Sequence, residues 1–122
     1  MDIILSPTRP SVLAKGAFDG FPTGACVEAA SCGVAIFSSD PLNLNIHYES
    51  GQKKSYFNDG EDMIIISLEP EEICEKIGYY YKNYDKLYRL SENGKNSVYR
   101  LFGYETQMPI RIKILKEIIL NG

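Results

Sequence analysis

Gly16-Ala17-Phe18-Asp19-Gly20-Phe21-Pro22-Thr23-Gly24, running on into Ala25-Cys26-Val27-Glu28, decides how this chain folds. Before it stands the apolar run Ile3-Ile4-Leu5, stopped at Ser6-Pro7. After it small residues continue to Cys32-Gly33, and a second apolar run, Val34-Ala35-Ile36-Phe37, ends at Ser38-Ser39-Asp40. The apolar runs predict parallel strands at 2–5 and 34–37, the first buried on both faces because its hydrophobics are consecutive and a strand with one wet face would alternate. Between them the small residues predict a short helix that begins near Gly24 and is closed by Gly33 in a left-handed cap. The unit is a βαβ crossover with a long first loop, which makes the chain α/β.

In such a unit the loop after the first strand lies at the carboxyl end of the sheet, where the free N–H groups of the next helix favour negative charge. Glycines let backbone approach a ligand closely, and Asp19 and Glu28 are acceptors that suit sugar hydroxyls better than phosphates. The spacing of Gly16, Gly20 and Gly24 does not make the tight GxGxxG turn, which argues against a dinucleotide site.

The run from Phe18 to Asp40 resembles the donor-site segment of the family 4 retaining glycosyltransferases, which have the two-domain GT-B architecture. That family writes an acid followed by Gly-Phe-Gly or Gly-Phe-Pro, then a Glu-Ala pair, a small-residue helix ending in Gly, a hydrophobic strand and Thr-Asp. Here these read Asp19-Gly20-Phe21-Pro22, Glu28-Ala29, Gly33, Val34 to Phe37 and Ser39-Asp40. Further on, Asp59-Gly60-Glu61-Asp62 before Met63-Ile64-Ile65 resembles a later turn and strand of the family. Eight residues separate Asp19 from Glu28, one more than the family usually places, and the first acid is Asp where the family has Glu.

The resemblance implies transfer of a sugar from a nucleotide-sugar donor to a glycan or lipid-linked acceptor, with retention at the anomeric carbon, in polysaccharide biosynthesis. Asp19 and Glu28 would be the catalytic pair, Asp19 holding the sugar hydroxyls with the backbone of Gly20 and Phe21, and Glu28 accepting from the ribose. Pro22, Thr23 and Gly24 complete the substrate-binding loop, the helix start stabilising the charge that develops on the leaving diphosphate. Arg9 is carried as a further substrate-binding candidate. For it, as for Lys15, the plainer alternative is a solvated loop charge. No metal is implied, and no cofactor beyond the donor itself.

The resemblance also implies a three-layer, Rossmann-like half domain with a short parallel sheet of about three strands and C-terminal helices. Residues 1–122 would form the last part of a GT-B donor-binding domain, its three strands corresponding to the last three of the order 3-2-1-4-5-6. The edge of Ile3-Ile4-Leu5 would then need covering, by a missing N-terminal domain or by another chain. The expectation is accordingly a fragment, inactive alone. The alternative is a non-catalytic, partner-dependent nucleotide-sugar-binding module.

Bulk properties narrow the classes. The chain has 122 residues, enough for one domain burying about two-thirds of its unfolded surface. A net charge of -3 with scattered basic residues argues against a nucleic-acid surface. Cys26, Cys32 and Cys74 lack CxxC spacing and read as buried thiols of a reducing compartment. Apolar runs fall far short of the roughly 20 residues a bilayer span needs, so the expectation is a cytoplasmic protein, compatible with peripheral membrane association through the absent domain.

The remaining segments follow from local signals. Residues 41–62 are irregular: Asn43 and Asn45 either make turns or face the nucleotide, and His47, the lone histidine, reads as a packing or surface residue. Residues 63–66 are a third buried strand, and Pro70 opens a helix with Ile73, Ile77, Tyr80 and Tyr84 on one face. A third helix is expected from about 86 to 99, weakened at Asn93-Gly94, and a fourth from about 107 to 120 with Pro109 in its first turn.

Overall fold

The computed structural model describes residues 2–11, 15–16 and 20–121. Three strands, β1 (Ile3–Ser6), β2 (Ala35–Ser39) and β5 (Ile64–Ile66), form a parallel sheet in the order β1-β2-β5. Ile4 stands opposite Ile36, and Ser38 opposite Ile65. Helix α1 (Gly24–Ser31) makes the crossover from β1 to β2. It is capped at its start by the Thr23 side chain and closed by Gly33 at φ 83°, a conformation that costs glycine nothing.

Strand side chains alternate between two cores. Ile4, Ile36 and Ile65 point to one face, where Cys26 and Ala30 of α1, Phe57, Met63 and Val98 meet them. Ile3, Ala35, Phe37, Ile64 and Ile66 point to the other, under Ile73, Ile77 and Tyr80 of α2 (Pro70–Lys82) and Leu87 and Leu90 of α3 (Tyr84–Phe102). Phe37 is fully buried with Tyr80 set edge-on at 5.5 Å, and burying such a ring stabilises the fold by about 1.5–3 kcal/mol. The predicted α/β chain with a three-stranded parallel sheet and C-terminal helices is therefore observed.

Helix α3 contributes to both cores because it passes beneath the amino ends of all three strands. Tyr84 Oη donates to Asp2 Oδ1 at 3.2 Å, just before β1. Leu87, Ser91 and Lys95 flank Cys32-Gly33, just before β2. Asn93 Nδ2 donates to Glu61 O at 3.1 Å, and Gly94 lies so close to Asp62, just before β5, that a Cβ would stand 2.6 Å from its carbonyl oxygen. Asn93-Gly94, read from sequence as a weak point, is thus a close-approach site inside an unbroken helix.

The two outer edges of the sheet differ. On β5 the Ile65 N–H donates to Asp59 Oδ1 at 2.8 Å and the Ile65 carbonyl accepts from Lys76 Nζ at 3.2 Å, so side chains satisfy that edge. On β1 the ladder to β2 uses Asp2 and its alternates, which turns the N–H and C=O groups of Ile3 and Leu5 outward. Among the described residues no strand or side chain meets them.

Several expectations are corrected. β1 is not buried on both faces: Leu5 is 43% exposed, since α2 and α3 pack over β2 and β5. Residues 41–62 contain a β-hairpin, β3 (Ile46–Glu49) with β4 (Gln52–Ser55), turned at Ser50-Gly51 with both residues at positive φ. Tyr84 belongs to α3, because Asn83 breaks the chain between the two helices. The last helix, α4 (Tyr104–Asn121), starts earlier than expected, so Pro109 lies inside it. Its aliphatic residues do not pack on the body: every residue from Pro109 to Asn121 is exposed. Only Cys26 of the three free cysteines is buried; Cys32, in the turn that ends α1, and Cys74, on α2, are exposed. Among the described residues no helix is long and apolar enough to cross a membrane.

Candidate functional site

The carboxyl rim of the sheet is built from the exits of β1 and β2 and the start of α1. The Ser39 hydroxyl, buried at the end of β2, donates to Thr8 O at 2.5 Å and so fastens the loop leaving β1 to its neighbour. Ser11 Oγ accepts from Gly16 N at 2.9 Å further along. Gly20, at φ 96°, turns the chain back toward the helix. Phe21 then packs edge-on against buried Phe57, ring centroids 6.4 Å apart, which anchors the loop to the α1-side core.

Thr23 is extended, φ -69° and ψ 159°, and its Oγ1 accepts from Cys26 N at 3.4 Å, while its carbonyl accepts the first helical bond from Val27 N at 3.1 Å. The N–H groups of Gly24 and Ala25 therefore have no intrahelical acceptor and open from exposed residues. No acidic residue stands in the first turn of α1, so the positive end of the helix has no carboxylate of its own there. Glu28 follows one turn after Gly24 on the exposed stripe, opposite the buried Cys26 and Ala30.

Gly20, Phe21, Pro22, Thr23 and Gly24 form one continuous turn at the helix start. Arg9 is exposed on the loop leaving β1. Asp19 lies outside the described residues, so the pairing of the two acids does too. Asn45 is not a ligand candidate: it is buried, its Oδ1 accepting from Phe57 N at 2.9 Å and its Nδ2 donating to Phe57 O at 2.8 Å, and so it staples the ends of the hairpin together. Asn43 sits at φ 56° in the turn, and Asp40 caps Leu44 N and Asn45 N at 2.8 and 2.9 Å. His47 stacks on Tyr56 at 4.0 Å, its Nδ1 buried with no partner among the described residues, which fits a packing residue.

A cavity of about 460 Å³ takes Phe21 and Pro22 as part of its wall, but not Glu28. Its other lining residues are Leu44, Tyr56, Phe57 and the junction of α3 and α4 at Arg100, Leu101, Phe102, Thr106 and Gln107. None of these others is a site candidate from sequence. The available signal was Gly103, which ends one helix and lets the next leave at an angle, but a concavity formed by distant segments has no local pattern. Among the described residues no group of three or more His, Cys, Asp and Glu side chains is placed to hold a metal ion.

The chain was compared with protein-family models, curated proteins and solved structures, and none of them matches it.

Proposed function

We propose that this chain supplies the donor-binding half-site of a retaining glycosyltransferase of the GT-B kind, as a Rossmann-like half domain that acts with an acceptor domain. The observation that carries the reading is the start of α1. A helix N-terminus with no acid in its first turn, the N–H groups of Gly24 and Ala25 unpaired among the described residues, lies at the carboxyl rim behind a glycine turn, and Glu28 stands exposed one turn further on. In the reaction, breaking the bond from the anomeric carbon to the diphosphate builds negative charge on the leaving group. The helix start would stabilise that charge, the Gly20-Phe21 backbone with Asp19 would orient the sugar, and Glu28 would accept hydrogen bonds from the ribose.

The exposure of Glu28 supports this reading over the simpler one, in which the acid is a passive surface residue, only together with a second face to close the site. The unmet backbone groups of Ile3 and Leu5 are consistent with such a face, since a strand added there would extend the sheet. That same edge favours the second reading, a non-catalytic nucleotide-sugar-binding module that depends on a partner. The two separate on turnover: both bind donor, and only the first transfers sugar.

Calorimetric titration of the intact protein with a panel of nucleotide sugars tests the proposal. One of them should bind saturably, and Glu28→Ala should weaken it about tenfold, the loss expected of hydrogen bonds to a charged group. Absence of binding by every nucleotide sugar, or unchanged affinity in the variant, removes Glu28 from a donor site.

A further inference from the structure

The cavity beside the Phe21-Pro22 turn is shaped by a fork between two helices. α3 ends at Phe102, Gly103 N donates to Tyr99 O at 2.8 Å, and a Cβ on Gly103 would overlap that same carbonyl, so the sharp joint requires glycine. Gln107 Nε2 then donates to Leu101 O at 2.6 Å and ties the first turns of α4 back to the end of α3. These bonds fix the joint between the two helices, and the opposite wall comes from the segments flanking the hairpin, at Leu44 and at Tyr56-Phe57, and from the loop before α1.

The chemistry of the lining is one-sided. Phe57 forms a buried floor, while Leu44, Tyr56 and Phe102 stand 43%, 44% and 44% exposed around the mouth. Scattered exposed apolar residues need no explanation, but three gathered about one concavity do. Among the described residues Arg100 is the only charged one in the lining, and the one ion pair is Lys54 with Glu49. Arg100 therefore borders the cavity with no ion-pair partner among the described residues, and Thr106 and Gln107 add a hydroxyl and an amide to the same lining. At about 460 Å³ the cavity falls in the range of small-molecule sites and has room for about fifteen water-sized atoms.

We propose that this cavity binds a small amphiphilic anion, a hydrocarbon or aryl body lying on Phe21, Phe57 and Leu101 with its acidic head at Arg100. Among the described residues the lining contains no carboxylate to hold a cation. The apolar floor excludes a purely polar anion, which would lose its hydration there for a single charged contact. The site stands whether or not the chain handles nucleotide sugars, because none of its polar groups belongs to the helix start.

Octanoate and its uncharged counterpart 1-octanol, titrated into the intact protein and followed by backbone-amide NMR, test the proposal. Octanoate should bind saturably, moving the signals of Phe57, Leu101 and Thr106, and 1-octanol should bind about tenfold more weakly, as loss of a charge-assisted contact predicts. Arg100→Met, which keeps the apolar stem, should bind both alike at the octanol level. Thr106→Trp, which fills the cavity from an exposed helix position, should bind neither, and Leu44→Trp does the same from the opposite wall should the first variant fold poorly. Octanoate binding that survives in the filled variants would place it on the exposed aliphatic residues of α4 and overturn the proposal. Equal affinity for octanoate and 1-octanol in the unaltered protein, or no saturable binding, would overturn it too.

Discussion

Replacing Gly94 by alanine sets two effects of opposite sign against each other. Alanine favours a helix over glycine by about 1 kcal/mol, so on propensity alone α3 should gain stability. The added Cβ, however, would stand 2.6 Å from Asp62 O, and it must recede by at least about 0.4 Å to reach the shortest separation real structures tolerate. The carbonyl cannot simply turn aside: Asp62 N donates to Asn58 O at 3.0 Å, and Asp62 Oδ2 accepts from Asn58 N at 3.1 Å, which locks the turn. The helix must move instead, taking Leu90 out of one core and Val98 out of the other. Overpacking of this kind costs about 1–3 kcal/mol. Gly78, in the middle of α2 with nothing within 4 Å of its would-be Cβ, provides the control. Gly94→Ala and Gly78→Ala share the propensity gain, so the difference between them isolates the clash. Urea unfolding should find Gly78→Ala more stable than the unaltered protein by about 0.5–1 kcal/mol and Gly94→Ala less stable than Gly78→Ala by about 2 kcal/mol. In thermal unfolding that difference is a separation of roughly 8 °C. Gly94→Ala matching or exceeding Gly78→Ala would refute the close approach of α3 to the turn before β5.

Asn45→Ala should cost about 3 kcal/mol in urea unfolding, because it leaves both the N–H and the carbonyl of buried Phe57 without a partner; a loss under about 1 kcal/mol would mean water replaces the amide. Tyr80→Phe should flatten the alkaline stability profile. Burial pushes the Tyr80 phenol above its ordinary value, with Tyr79 and Asp59 adding to it, so the folded state disfavours ionisation. Its contribution is complete below about pH 10, where the unfolded phenol ionises, and is lost as pH rises from there through the raised folded value. Urea midpoints measured from pH 9 to pH 11.5 should fall less steeply in the variant, and identical slopes would contradict the assignment.

How far the sequence determined the reading differs from element to element. The runs Ile3-Ile4-Leu5, Val34 to Phe37 and Met63 to Ile66 are bounded by turn residues and rich in β-branched side chains, so their strands and parallel sense were legible. Cys32-Gly33 marked the end of α1 for the same local reason. The hairpin was missed because its paired residues, such as His47 with Lys54 and Tyr48 with Lys53, are polar on both faces and give no alternation. Only Ser50-Gly51 signalled it, and two residues are easily read as one more loop turn. Asn93-Gly94 misled because helix propensity is a local quantity, whereas the demand for glycine there comes from Asp62, thirty-two residues away in the chain. At the rim, the helix start and its threonine cap were readable. The cavity beside it was not, since its walls come from four separate segments.

The passage of α3 under the starts of all three strands has a consequence for biosynthesis. Two of those strands emerge from the ribosome before residue 40, but the helix that seals them is finished only at Phe102. At roughly 5–20 residues per second the nascent chain carries Ile3 and Phe37, on the face α1 does not cover, bare for several seconds before that floor arrives. Chaperone capture during translation, and aggregation of any product terminated upstream of α3, are the natural outcomes of that delay.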